Sequence, residues 1–178
     1  MPTYRWRGQL INAPSFEAVQ IYIASFNNST EGSSKMWKPP ADVAKRMAPY
    51  KDAIDAAEKK YGIPESLLAR QLYQESRFRP DIISGATKSS ANAVGIAQFI
   101  PATAKEYGVD PTDPEQSIDG AARYMSDIKK DSATWADALA KYNWGMGNFT
   151  AGGGLAGAPK ETRDYVHQIL ADVGNVDE

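Results

Sequence analysis

The chain has 178 residues, with 42% hydrophobic and 24% charged residues and a mean hydropathy of -0.48, which places it among globular chains and excludes wholesale disorder. That length accommodates one domain with a buried core and a short appendage. Twenty Lys plus Arg stand against 22 Asp plus Glu, so the net charge of -2 exerts no global pull on a polyanion, and nucleic acid is not expected as the main partner. There is no cysteine and one histidine, His167, which excludes disulfide scaffolds, thiolate metal sites, Cys nucleophiles and His-rich metal sites.

The first forty residues read apart from the rest. Tyr4, Trp6, Leu10 and Ile11 are strand-like, a β-branched run surrounds Val19–Ile23, and the polar stretch Asn27–Ser34 reads as a linker. The expected organisation is therefore an N-terminal arm of mixed or irregular structure over residues 1–40, a candidate docking segment, and a helical domain over 41–178. Met1–Arg7 lacks the apolar run of a secretory signal, and no stretch reaches the roughly 20 apolar residues of a transmembrane helix. The expectation is synthesis in the cytosol and no membrane insertion.

After Pro39-Pro40, residues 41–60 are rich in helix formers, with Met47, Ile54 and Tyr61 at heptad spacing. Pro64 is suited to a first helical position, and the run from Leu67 to Ser76 is helix-competent and should stop before Pro80. Leu68, Leu72 and Glu75 stand at i, i+4 and i+7, which puts a carboxylate on the apolar stripe. An inward carboxylate either pairs, here with Arg70 or Arg79, or holds its proton as a general acid does. Periodicity alone leaves both readings open.

Gly95-Ile96-Ala97-Gln98-Phe99-Ile100-Pro101 is a short apolar run holding one amide, suited either to backbone or to sugar hydroxyls and acetamido groups. Ser117–Lys130 carries Ile118, Ala121, Ala122, Met125 and Ile128 at helical spacing and reads as packing. The helical pattern from Ala133 to Asn143 breaks at Trp144-Gly145-Met146-Gly147, and Gly152-Gly153-Gly154 reads as a mobile or merely tolerant loop. From Pro159 onward, Thr162, Tyr165, Val166, Ile169, Leu170 and Val173 form one docking stripe, with His167 off it.

Taken in order, Glu75-Ser76-Arg77-Phe78, Gly95-Ile96-Ala97-Gln98, Tyr142-Asn143-Trp144-Gly145 and Pro159-Lys160-Glu161-Thr162 resemble the motifs of the soluble lytic murein transglycosylases, family 23 glycoside hydrolases of goose-lysozyme-like fold. The resemblance spans residues 50–172. It implies a mainly α, lysozyme-like SLT domain without metal or cofactor. It further implies Glu75 as catalytic acid/base, with Ser84, Gln98, Tyr142, Asn143 and Glu161 lining a saccharide groove and Tyr142 close to the acid. The implied reaction cleaves the bond between N-acetylmuramic acid and N-acetylglucosamine in peptidoglycan glycan strands, leaving 1,6-anhydromuramoyl ends.

Three positions depart from the family pattern. Gln98 follows Glu75 by 23 residues, a wider spacing than usual, with the surplus in Thr87–Asn92; Ala97 is smaller and Trp144 larger than the family's usual residues. These departures bear on the shape of the subsites. Two alternatives stay open: lysozyme-type hydrolysis on the same fold, with Asp81 as a second carboxylate, and a non-catalytic murein-binding or structural virion module. The expected setting is the cell wall, in the periplasm, reached by delivery in a bacteriophage particle or by release at lysis. In the virion case the aromatic-rich arm, with Trp6, Phe16, Tyr22, Phe26 and Trp37, would dock to a phage tail or injection-apparatus protein.

Overall fold

The computed structural model describes residues 3–6, 9–12, 20, 36–174 and 176–177. Its helices begin and end where local chemistry dictates. Proline at a first helical turn and glycine or another left-handed residue just past the end recur through the chain. The fold is mainly α, as the sequence pattern predicts. Two units can be distinguished, residues 36–127 and residues 128–178 together with the N-terminal segment.

In residues 36–127, the expected long helix after Pro40 is two helices. Pro49 cannot continue an α-helix, so α1 (Ala41–Met47) passes through a 3-10 turn (Ala48–Tyr50) into α2 (Lys51–Tyr61), which ends at left-handed Gly62. Pro64 does not open the next helix as expected. Its carbonyl accepts the Leu67 N–H in a turn, and α3 runs Leu67–Ser76 behind Ser66, whose φ is 70°. A short α4 (Pro80–Ile83) and α5 (Pro101–Tyr107) follow, each with proline in its first turn.

The last helix to begin in this unit, α6, spans Pro114–Lys130, three residues earlier than the apolar spacing suggests. Asp113 explains the earlier start: its Oδ1 accepts the N–H groups of Glu115 and Gln116, and its Oδ2 accepts the Gln116 side chain. These bonds hold the Asp113 carboxyl below its ordinary value. Ile54, Leu67, Leu68, Leu72, Phe78, Ile96, Ile118 and Met125 are fully buried. Each contributes about 1.5–3 kcal/mol of transfer free energy.

Trp37, counted with the arm in the sequence reading, is held on α3. Its backbone N–H donates to Ser66 Oγ at 3.1 Å, its ring lies 5.3 Å from that of Tyr73, and the Arg70 guanidinium stacks over both rings.

In the other unit, β1 (Thr3–Trp6) and β2 (Gln9–Asn12) pair antiparallel with Tyr4 opposite Ile11, where the sequence reads strand. Of the Val19–Ile23 run, Gln20 is described and is helical; the Asn27–Ser34 linker lies outside the described residues. The helices are α7 (Trp135–Trp144), α8 (Met146–Ala151) and α9 (Lys160–Val173), with a 3-10 turn at Leu155–Gly157 beside β2. Gly147, expected in a turn, lies inside α8.

Thr134 caps α7 by accepting the Asp137 N–H, and Asp177 Oδ1 accepts the Trp135 N–H at 2.7 Å, tying the C-terminal segment to that helix. The six-residue stripe on α9 is buried as read, and His167 is exposed. Lys141 is buried with its Nζ satisfied by the Asp131 carbonyl and Ser132 Oγ and lying over the Phe149 ring.

Candidate active site

Glu75 occupies the last turn of α3 and is half-buried. Its backbone is fixed from both ends of the helix. At the N-terminal end, the Glu58 carboxylate of α2 reaches the open N–H groups of α3, with Oε1 accepting from Leu68 and Ala69 and Oε2 from Ser66. At the C-terminal end, Arg77 and Phe78 both take left-handed φ values, 54° and 51°, and reverse the chain at once. Two consecutive non-glycine residues in that region carry strain, which the surrounding packing must offset.

That packing is visible in the motif itself. Ser76 Oγ donates to the Leu72 carbonyl and accepts the Phe78 N–H, while the Phe78 ring, 1% exposed, stacks on Tyr50 at 6.4 Å. The Glu-Ser-Arg-Phe motif is therefore a chemical group followed by its own mounting. Arg79, one of the two pairing partners considered for Glu75, makes a two-pronged ion pair with Asp81 through Nε and Nη2, and Thr87 adds a hydroxyl bond to the same carboxylate. These partners hold the Asp81 carboxyl below its ordinary value. Arg70 donates to Gln74 Oε1 and covers Trp37 and Tyr73.

Ser84 is exposed at the end of α4, where its hydroxyl donates to the Asp81 carbonyl at 3.3 Å. The surplus segment Thr87–Asn92 is a built turn. Ser89 Oγ accepts the N–H groups of Ala91 and Ala93, and Asn92 sits at φ 57°. Val94 and Phe99 then pair as an isolated bridge and close the loop that presents Gln98. Gln98 is half-buried at φ 51°, and its Nε2 donates to the Gly95 carbonyl at 2.9 Å. Gly95, at φ 83°, must be glycine, because a Cβ there would lie 1.8 Å from the Pro111 carbonyl oxygen.

The remaining residues named from sequence belong to the other unit. Tyr142 and Asn143 are half-buried in the last turn of α7, and Glu161 is exposed in the first turn of α9. Asn143 Oδ1 accepts the hydroxyl hydrogen of buried Thr162 at 2.8 Å, so α7 is clamped to the turn that carries Glu161. Of the glycine-rich segment after α8, Gly153 is exposed with open space around it, as a tolerant loop requires, whereas Gly152 is close-packed. A Cβ on Gly152 would meet the Trp144 ring at 2.3 Å, and one on Gly157 would meet the Gly152 carbonyl at 1.9 Å. The large residue after Tyr142-Asn143 and the small ones that follow are one packing arrangement.

Glu58 and Gln71 were not read from the sequence. Nothing in a helical wheel shows that Glu58 of one helix reaches the start of the next. Burial pushes its carboxyl up to about 7 despite the three backbone donors. It borders an apolar cavity of about 340 Å³ lined by Met36, Trp37, Met47, Ile54 and Ala69 at the opposite end of α3 from Glu75. None of the catalytic or groove residues named from sequence lines that cavity. Among the described residues, no group of three His, Cys, Asp or Glu is placed to hold a metal ion, and no helix is long and apolar enough to cross a membrane.

Residues 52–163, more than half the chain, match the transglycosylase SLT domain. The chain belongs to that family. It is 37% identical over 139 residues to the membrane-bound lytic murein transglycosylase F of Maricaulis maris (strain MCS10), covering 72% of this chain and 29% of the relative. It is 37% identical over 115 residues to transglycosylase F 1 of Alkalilimnicola ehrlichii (strain ATCC BAA-1101 / DSM 17681 / MLHE-1), covering 60% of this chain and 22% of the relative. For transglycosylase F of Alteromonas mediterranea (strain DSM 17117 / CIP 110805 / LMG 28347 / Deep ecotype) the identity is 40% over 91 residues, 46% of this chain and 18% of the relative. The SLT chain thus spans less than a third of the length of these relatives. The matched stretch contains Glu75, Ser84, Gln98, Tyr142, Asn143 and Glu161.

Proposed function

We propose that this chain is a peptidoglycan lytic transglycosylase with Glu75 as its acid/base. The observation that carries the reading is the mounting of Glu75. Inside the SLT match, a half-buried carboxylate ends a helix capped by another carboxylate and is followed by a strained, buried reversal. Such pre-organisation serves a group that must keep its place through a reaction. Names of the relatives supply the substrate class, murein.

In this reading protonated Glu75 gives its proton to the glycosidic oxygen between N-acetylmuramic acid and N-acetylglucosamine, and that C–O bond breaks. The resulting carboxylate takes the proton of the muramoyl 6-hydroxyl as its oxygen bonds to C1. The product carries a 1,6-anhydromuramoyl end and no water is consumed. One dependable carboxylate suffices for this sequence, unlike the two-carboxylate scheme of most glycosidases. Engagement of Asp81 with Arg79 and Thr87 is consistent with that choice.

Mass spectrometry of muropeptides released from purified peptidoglycan tests the reading. Anhydro-ended products from the wild type that vanish with Glu75→Gln are expected. Reducing-ended products, heavier by one water, would make the enzyme a hydrolase, and no products from either protein would leave a binding or structural role.

Delivery by a phage particle, with residues 1–40 docking on a tail or injection-apparatus protein, belongs to the same proposal and draws on the aromatic content of that arm. Trp37, at the end of that arm, is half-buried against α3. Deleting residues 1–35 and assaying incorporation into particles tests it, with loss of incorporation expected.

A further inference from the structure

Gln71 stands one helical turn before Glu75 on α3, 1% exposed, and neither its Oε1 nor its Nε2 has a hydrogen-bond partner among the described residues. A buried side-chain amide with both ends unsatisfied costs about 1–3 kcal/mol per group. An apolar side chain would avoid that cost. The same face carries Leu67 and Leu68, both fully buried, so hydrophobic packing is what the position otherwise offers.

Two geometric facts connect this amide to Glu75. Residues four apart on a helix are neighbours on one face, with Cβ atoms about 5–6 Å apart. Helical side chains also lean toward the N-terminus, so that of Glu75 lies over the turn holding Gln71 and Leu72. The carboxylate is thereby brought toward a buried group that can both donate and accept.

Resting on the reading of Glu75 as the acid/base, we infer that Gln71 is a positioning residue for it: one bridging water, held by the Gln71 amide, fixes the carboxyl in the conformation from which it gives up and retakes its proton. The amide suits both halves of the cycle. Its oxygen accepts through the water when Glu75 is protonated, and its N–H2 donates through the water when Glu75 is ionised. A hydrocarbon at position 71 can do neither.

The test compares Gln71→Leu and Gln71→Met with the wild type and Glu75→Gln, using solubilised, uncrosslinked glycan strands and thermal unfolding. The expected result is a kcat lowered roughly tenfold to a hundredfold, the scale of a misplaced catalytic group, with KM unchanged and a melting temperature no lower than that of the wild type. A kcat equal to that of the wild type would overturn the inference, as would a fall in kcat that comes with a raised KM or with a lowered melting temperature in both variants. Full turnover by Glu75→Gln would remove the acid/base reading and this inference with it. A dead Glu75→Gln beside fully active Gln71 variants would remove this inference alone.

Discussion

Glu58 Oε1 accepts the backbone N–H of Leu68 at 3.0 Å, so the cap of α3 is a carboxylate borrowed from α2. Burial of that carboxyl outweighs its backbone donors and makes stability pH-dependent with a definite sign. Burial raises the folded-state value of Glu58 from the ordinary 4.5 to about 7, so the folded chain binds more protons than the unfolded chain between those limits. The contribution is full below about 4.5, declines as pH rises, and is gone above about 7, a change of about 3 kcal/mol at 1.36 kcal/mol per unit. Asp137 and Asp177, also raised by burial, add slopes of the same sign. Chemical denaturation at several pH values, wild type against Glu58→Gln, should show a flatter dependence in the variant. Parallel curves would refute the assignment.

The sequence made the helices and their apolar faces legible because periodicity records burial. Every residue of the α9 stripe and all five packing residues named on α6 are buried. Glu75 was legible for two reasons, its place on an apolar stripe and its place in a motif. Glu58 and Gln71 were not, since each draws its meaning from contacts that a helical wheel does not contain. Thr162 was read as one more stripe residue, yet its hydroxyl is what clamps α7 to α9. The start of α6 was misplaced because its cap, Asp113, lies outside the apolar pattern.

Replacing Thr162 by valine keeps the volume and removes the donor to Asn143 Oδ1. A lost hydrogen bond that leaves its partner half-buried costs about 1 kcal/mol. The expected result is a lower denaturant midpoint with an unchanged m-value. In a double-mutant cycle with Asn143→Ala, the two losses should not add, because both variants break one bond. Additive losses would show that the Thr162 hydroxyl acts elsewhere.

Asp81 is the carboxylate that a lysozyme-type hydrolysis would need, and its side chain is already held by Arg79 and Thr87 on the surface. Asp81→Asn should leave the rate of glycan cleavage within about twofold of the wild type, the scatter expected of a surface change that removes no reacting group. The Thr87 hydroxyl and then the Arg79 guanidinium lower the Asp81 carboxyl below the ordinary 3.8, so the wild type gains stability from them above that value and loses it as pH falls through the folded-state value. The variant should therefore differ from the wild type in acid unfolding and not in turnover. Abolished cleavage would instead give Asp81 a catalytic part.

Gly95 and Gly62 separate two reasons for glycine. Both have positive φ, 83° and 66°, but a Cβ on Gly62 would meet nothing within 4 Å, whereas one on Gly95 would meet the Pro111 carbonyl oxygen at 1.8 Å. Gly62→Ala should therefore cost about 1–2 kcal/mol, the penalty of the left-handed conformation alone. Gly95→Ala adds a backbone clash that no rotamer can relieve, because the methyl group has none. It should force the Val94 to Phe99 loop open, displace Gln98, and lower the melting temperature well beyond the Gly62 variant. The measurement is thermal unfolding of both proteins with glycan cleavage in parallel. Equal losses of stability would show that the loop can move away from Pro111, and that Gln98 is held less firmly than its bond to the Gly95 carbonyl implies.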